Sequence, residues 1–270
     1  VRDGLIKTPI INLNNYNKIE ILNEKDENIL IKVNAGVSIN KLVKFLTDKA
    51  IYNLSGSVGI PGTVGGAIFM NASSFEDQIS NYVKEVESID EYGNLEIFNK
   101  EECTFEWRSS IFKKKKSIIT NTTLFFEKKT KISQKEKDKK KKFIFERSYF
   151  QEKKLPNLGS LFATKDLYKD IKNISLIYYI LYLIKKIFSV IAKQISDESL
   201  ITTRRQLSRL YGYFFDIKKN SKFKISDKTI NCIVNCGSEK SREGIELIEN
   251  LEKKFKEKVR LEIIILKNIE

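Results

Sequence analysis

The chain has 270 residues, 49 Lys and Arg against 35 Asp and Glu (a formal charge of +14), three cysteines and no histidine. Its 17 Phe and 11 Tyr make it too apolar for a disordered polymer, and the length suits one large domain or two to three smaller ones. The missing histidine excludes a Ser-His-Asp triad, a Cys-His pair, a His-ligated metal and an imidazole shuttle, which leaves acid–base work to carboxylate, Ser, Tyr, Lys or Cys.

No signal peptide opens the chain, and Val1 in place of Met points to a true N-terminus outside it. Residues 29–36 (ILIKVNAG) read as a strand ending in a glycine turn. Val37–Ala50 follows with helical spacing of Ile39, Leu42, Val43 and Leu46. Val83–Asp90 and Asn94–Asn99 flank Glu91-Tyr92-Gly93 as a hairpin, and Ile118–Phe126 is a further strand. Lys113–Lys116 and Lys128–Lys142 hold much of the positive charge and read as solvated loops, the second leading into a strand-like Phe143–Phe145. Neither run carries interleaved aromatics or a recognition motif, so no nucleic-acid partner is expected.

The texture changes near Pro156. Ile174–Ala192 is almost wholly apolar, but Lys185-Lys186 interrupts it, which speaks for a helix packed on a domain rather than a membrane span. On a helical wheel Leu176, Ile180, Leu183, Ile187 and Val190/Ile191 share one face, while Ser175, Tyr178, Tyr182, Lys185, Ser189 and Lys193 gather near the other. Gly237–Phe255 is a second amphipathic helix with Ile245, Ile248, Leu251 and Phe255 as its stripe, and Val259–Leu266 is a strongly apolar strand. Cys103, Cys232 and Cys236 are odd in number and contain no CxxC, so they suggest neither disulfides nor zinc but a reducing compartment. The even spacing of Cys232 and Cys236 places both on one face as small buried hydrophobes.

Chemistry concentrates at Gly56–Ala72 (GSVGIPGTVGGAIFMNA), which holds five of the chain's 12 glycines. Clustered glycines let backbone N–H groups cradle a phosphate or line a flat ring. The segment is neither a P-loop nor a GxGxxG turn, and no helix of that type is expected to follow it.

The literal string GIPGTVGGAIFMNA resembles the flavin-binding signature of the UDP-N-acetylenolpyruvoylglucosamine reductases. The resemblance recurs in order along the chain. Phe105-Glu106-Trp107-Arg108-Ser109-Ser110-Ile111-Phe112-Lys113 is similar to that family's Tyr-Arg-x-Ser-x-Phe-Lys, and Gln151, Pro156 and Gly159-Ser160-Leu161-Phe162 to its Gln-Pro…Gly-Ser-x-Phe. Ser226 to Asn235 resembles its Ser-x-Lys-His-x-Asn-Phe-Ile-x-Asn with Thr229 in the histidine place, and Glu262-Ile263 its closing Glu-Val. Three departures stand beside these matches. Asp3-Gly4-Leu5 resembles what trails the family's pyrophosphate-binding Gly-x-Gly-Ser-Asn turn, so the family's N-terminal segment is expected to be lacking. Phe162-Ala163-Thr164-Lys165 stands for Phe-Lys-Asn-Pro, and the stretch from Ser160 to Ser226 is longer than the family's, with the tyrosine-rich helix inside the excess.

The resemblance implies an α+β fold: an FAD-binding domain of the vanillyl-alcohol-oxidase/PCMH type, then a smaller α+β substrate-binding domain. The implied boundaries are 1–32 as a remnant of the N-terminal FAD subdomain, 33–150 as the FAD domain, 151–256 as the substrate domain, and 257–270 as a strand returning to the active site. It implies a cytoplasmic enzyme of peptidoglycan precursor synthesis that passes electrons from NADPH through FAD to a UDP-sugar. Such a reduction of a C=C conjugated to a carboxylate needs a cation and donors at the carboxylate and a proton donor at the alpha carbon. By motif match Ser160 is that donor, Arg108 neutralises the carboxylate and Glu262 orients or protonates the enolate. Gly59, Ile60, Pro61, Gly62, Thr63, Val64, Gly65, Gly66, Asn71 and Ala72 are the implied cofactor-binding residues, and no metal is implied. Two alternatives remain at this level: another flavin oxidoreductase on the same scaffold, and a non-catalytic basic protein that binds nucleic acid.

Overall fold

The computed structural model describes residues 10–263 apart from 76, 129–133, 153, 216, 218–220, 238–240 and 257. The described residues fall into two compact units, Ile10–Glu146 and Arg147 onward.

The N-terminal unit is built on β1 (Ile19–Glu24), β2 (Asn28–Asn34), β5 (Val83–Ile89), β6 (Leu95–Asn99) and β7 (Ile118–Glu127), all paired antiparallel in the order β1-β2-β7-β5-β6. Strict alternation decides which face is covered: Ile29, Ile31 and Val33 of β2 are fully buried and the residues between them are only half-buried. Two helices contribute to the same apolar core. The first, α1 (Ile39–Asp48), starts at Ser38, whose hydroxyl accepts from Lys41 N, and buries the stripe Ile39, Leu42, Val43 and Leu46 expected from its spacing. The second, α2 (Val64–Phe69), was not expected in the glycine-rich segment; its two glycines weaken it intrinsically, and the Thr63 hydroxyl caps it by accepting from Gly66 N. A two-residue ladder of β3 (Ser73–Ser74) with β4 (Asp77–Gln78) follows.

The lysine runs are less loop-like than expected. Lys115 and Lys116 pair with Glu96 and Glu91. From Gln134 the second run is helical: α3 spans Gln134–Phe150 and takes in the strand-like Phe143–Phe145, while residues 129–133 lie outside the described residues. The physical reason is a series composed, apart from Asp138, of the helix formers Gln, Lys and Glu, which three apolar residues do not break. Phe143 is buried with its ring stacked on Phe75.

The C-terminal unit is mainly helical, with short ladders pairing β8 (Phe162–Ala163) to β11 (Arg260–Leu261) and β9 (Phe223–Ile225) to β10 (Ile233–Asn235). Between them run α4 (Leu167–Ile171), α5 (Leu176–Ile195), α6 (Asp197–Tyr213) and α7 (Ser241–Phe255). In α7 the face formed by Leu247, Ile248, Leu251 and Phe255 is buried; residues 238–240 of the expected helix are outside the described residues, as are 264–266 of the expected terminal strand.

Helix α5 packs the opposite way from its wheel. Tyr178, Leu181 and Ala192 are buried, whereas the apolar face stays out: Leu176 is 75%, Ile187 59% and Val190 56% exposed. The tyrosine face can pack because a phenol is an apolar body with one polar tip. Tyr178 lies among the rings of Tyr211, Phe215 and Phe255, and its hydroxyl donates to Phe214 O at 2.8 Å. Among the described residues no helix is long and apolar enough to cross a membrane. The cysteine expectation is also corrected: Cys103 and Cys232 are buried, but Cys236 is exposed. Strand β10 stops at Asn235, and the turn into Gly237 (φ 111°) carries Cys236 off the covered face.

Candidate functional site

In the N-terminal unit the glycine-rich segment is fastened by its backbone. Val64 N donates to Val37 O (2.8 Å), Gly65 N to Ala35 O (2.9 Å) and Ile39 N to Gly62 O (3.1 Å). A Cβ on Gly65 would lie 2.8 Å from that of Ala35, so only glycine permits this approach. Gly62 has φ 134° with open space where a Cβ would stand, and Gly59 has φ 79° with its N–H held by Asn40 Oδ1 at 2.7 Å. Gly59, Pro61, Gly62 and Gly66 are exposed, Ile60, Thr63 and Ala72 half-buried, and Val64 and Gly65 belong to the core. The outcome is a capped helical turn whose exposed positions are three glycines and Pro61.

Asn71 closes this segment with a left-handed backbone (φ 43°). It is only 2% exposed, its Nδ2 donates to Glu106 O at 2.9 Å, and its buried Oδ1 has no hydrogen-bond partner. Buried acceptors are rarely left so, and this one, at the end of the glycine-rich segment, suits the imide N–H of a flat ring such as flavin. The residues present therefore fit FAD.

Arg108 sits in the tight turn tied to that segment. Glu106 and Ser109 exchange N–H···O bonds of 3.1 and 3.2 Å, and Arg108 takes φ 54°, a region that normally selects glycine or asparagine. Ser110 Oγ donates to Phe69 O at 2.8 Å. Asn71 and Ser110 thus bring the Arg108 block and the glycine-rich block together, and Arg108 is held half-buried.

In the C-terminal unit Ser160 is exposed directly after Gly159 (φ 75°). The chain that follows is clamped by Asn231: Phe162 N donates to its Oδ1 and its Nδ2 donates to Phe162 O, both at 2.9 Å. Glu262 N donates to Leu161 O at 2.7 Å, so Glu262, half-buried, directly follows β11 where it runs beside the start of β8, and Ser160 stands two residues before β8. Ser160 lines a cavity of about 320 Å³ together with further motif positions, Thr164 and Lys165 from its own block and Lys228 to Asn231 from the later one. Glu262 lies outside that lining. The lining also holds four cationic residues, Lys165, Lys185, Arg204 and Lys228, and one carboxylate, Asp166.

Sequence reasoning missed Lys185, Arg204 and Tyr168 in this lining. Lys185 Nζ is 2.8 Å from Asp166 Oδ2 and 4.7 Å from the centre of the Tyr168 ring. Burial, above all, raises the Tyr168 hydroxyl far beyond the ordinary phenol range, with Arg204 opposing the shift. The only available signal was a lysine in the middle of an otherwise apolar helix. Burying such a charge requires a partner, but nothing local in the sequence says which.

Residues 3–99 match the family of FAD binding domains. The UDP-N-acetylenolpyruvoylglucosamine reductase of Thermotoga petrophila is 32% identical over 97% of this chain and 78% of its own length. That of Chlamydia muridarum is 37% identical over 50% of this chain and 45% of its own. The crystal structure of the Thermus caldophilus reductase superposes with a TM-score of 0.57, covering 86% of this chain and 70% of that one at 20% identity, a likeness of fold. With the glycine-rich segment in one unit and Ser160 in the other, the chain belongs to the UDP-N-acetylenolpyruvoylglucosamine reductase family.

Proposed function

We propose that the chain reduces the enolpyruvyl ether of UDP-N-acetylglucosamine to UDP-N-acetylmuramate, with NADPH as electron donor, in cytoplasmic peptidoglycan precursor synthesis. The observation that carries this reading is Ser160 lining a cation-rich pocket, in a chain with the family's relatives along nearly its whole length. We assign FAD binding to Gly59–Gly66, Asn71 and Ala72 in the N-terminal unit and sugar-nucleotide binding to the C-terminal unit.

FAD, held by Gly59–Gly66, Asn71 and Ala72, would supply the hydride for the distal carbon of the substrate double bond. The chain's own residues manage the charge and the proton. Arg108, whose planar fork matches a carboxylate better than a lysine does, neutralises the oxygens on which negative charge collects. The Ser160 hydroxyl gives its proton to the alpha carbon, so the double bond gains one hydride and one proton in all. A serine hydroxyl is a weak acid, but the enolate is a strong enough base to take its proton when the two are held in place. Glu262 orients the enolate as it forms.

The test is reconstitution with FAD followed by two separate rates. Ser160→Ala should leave flavin reduction by NADPH unchanged and slow reduction of the enolpyruvyl sugar nucleotide about 100-fold or more. Equal loss of both rates would reject the role of Ser160. Absence of any NADPH oxidation dependent on the sugar nucleotide in the parent protein would reject the reaction itself.

A further inference from the structure

We infer that the outward face of α5 is a docking surface for an anionic lipid bilayer, on which the helix lies flat and holds the chain as a peripheral membrane protein. This surface is independent of the reaction proposed above.

Helix α5 is apolar on two faces, and its own unit covers only one of them. Tyr178 and Leu181 belong to the core of the C-terminal unit. On the opposite side Leu176, Ile180, Leu183, Ile187, Val190 and Ile191 form a stripe that follows the helix, each of them at least 40% exposed. A helix of 20 residues makes that stripe about 30 Å long. Single exposed apolar side chains are ordinary on a protein surface, whereas a contiguous strip of this length marks a face that something covers.

The borders of the stripe identify the cover. Tyr179, Lys186 and Lys193, spaced every seventh residue and all exposed, fall along one border, and the exposed ring of Phe188 lies on the other. The helix has three lysines and no acidic residue. Lys185 pairs with Asp166 at 2.8 Å, which leaves Lys186 and Lys193 on the outside. Apolar side chains flanked by rings and ammonium groups match the boundary of a bilayer: the stripe enters the acyl edge, the rings stay at headgroup level, and the lysines meet lipid phosphates. The chain's charge of +14 has the same sign and adds long-range attraction to an anionic surface. The helix lies on the bilayer and does not pass through it, since no helix among the described residues is long and apolar enough to cross. A second copy of the chain is a poorer cover. An antiparallel twofold pairing of α5 helices sets one lysine border beside the other, with no acid on the helix to offset them.

The test is cosedimentation of the full chain with two kinds of vesicle, one of equal parts phosphatidylglycerol and phosphatidylcholine, the other of phosphatidylcholine alone. The parent should bind the anionic vesicles about tenfold more tightly than the neutral ones, and less tightly as salt rises. Ile187→Gln should weaken that binding about tenfold, and Ile180→Gln combined with it about 100-fold. Lys186→Gln and Lys193→Gln should each cost about fivefold on anionic vesicles and nothing on neutral ones. Leu95→Gln, at an exposed apolar position on β6 of the N-terminal unit, is the control and should bind as the parent. Urea midpoints should match the parent throughout. The lysine variants remove no packing, so they keep the test intact if a glutamine variant unfolds.

The docking surface is overturned if the parent ignores anionic vesicles, or if it binds neutral ones equally well. It is also overturned if the double isoleucine variant binds as the parent, which hands the interaction to α3 or another basic surface. Analytical ultracentrifugation adds the last arm: a dimer that Ile187→Gln dissociates, in a parent that ignores lipid, gives the face to a second copy. Vesicle binding as described in a protein that fails to reduce the sugar nucleotide removes the reaction and leaves the docking surface standing.

Discussion

The two units hold their candidate residues by different physical means. In the N-terminal unit the glycine-rich segment is set by main-chain bonds that tie Val64 to Val37, Gly65 to Ala35 and Gly62 to Ile39, between the end of β2 and the start of α1. In the C-terminal unit the ladders are two or three residues long, and side chains take over: Asn231 clamps Phe162, Asp166 anchors Lys185, and Tyr178 docks α5. A backbone-built site announces itself through glycine, the residue that close approach and positive φ demand. A site built from side chains leaves no such mark, because its partners are far apart in the chain.

This contrast can be attacked at four points. The largest effect is expected at Tyr178→Ala, which removes a ring that is 2% exposed and packed among three aromatics. It should destabilise the C-terminal unit by about 4 kcal/mol in urea unfolding; a cost below about 1 kcal/mol would mean that the tyrosine face does not hold α5. Gly36→Ala comes next, since its Cβ would stand 1.8 Å from Leu13 O, a backbone atom that cannot swing aside. A loss of about 3 kcal/mol is expected in the N-terminal unit, and a neutral outcome would show that the turn after β2 is looser than its hydrogen bonds imply. Ile187→Gln, on the 59% exposed outer face of α5, should change stability by no more than about 0.5 kcal/mol. If it costs as much as Tyr178→Ala, the two faces have been assigned the wrong way round.

Cysteine chemistry gives the mildest probe, because it perturbs nothing. Burial, first of all, pushes the thiols of Cys103 and Cys232 up to about 12, so at pH 8 both stay protonated and covered, and a protonated thiol is a poor nucleophile. Iodoacetamide should add once to the folded chain, at the exposed Cys236, and three times after denaturation. Three additions at similar rates in the folded protein would contradict the burial of both.

What could be read from the sequence follows the same division. Strands β2, β5, β6 and β7 and helix α1 were legible because period-2 and period-3.6 patterns are local and one face of each is covered. Helix α2 was not, because its stability comes from the Thr63 cap and the contact with Ala35 rather than from the propensity of Val-Gly-Gly. Phe143–Phe145 was misread because three apolar residues suit either period and the long run of helix formers before them decides the matter. The failure at α5 is the most instructive. A wheel ranks residues by polarity and so puts tyrosine with lysine, whereas packing ranks them by shape and by whether the polar tip finds a partner, as Tyr178 does at Phe214 O. Ser160 and Arg108 were found through motifs; Lys185, Arg204 and Tyr168 come together only once α4, α5 and α6 are folded.

The contact between Gly65 and Ala35 reaches beyond stability. A Cβ at 65 would stand 2.8 Å from that of Ala35, and Ala35 is itself 1% exposed with its carbonyl engaged by Gly65 N. A side chain at 65 has no room while Ala35 keeps its Cβ, and glycine at 35 would loosen the turn that aims the segment. The two positions are therefore expected to vary as one character. Across diverging descendants they should either stay fixed together or change in the same lineage, and a lineage that altered only one would have to move α2, and with it the exposed edge it presents.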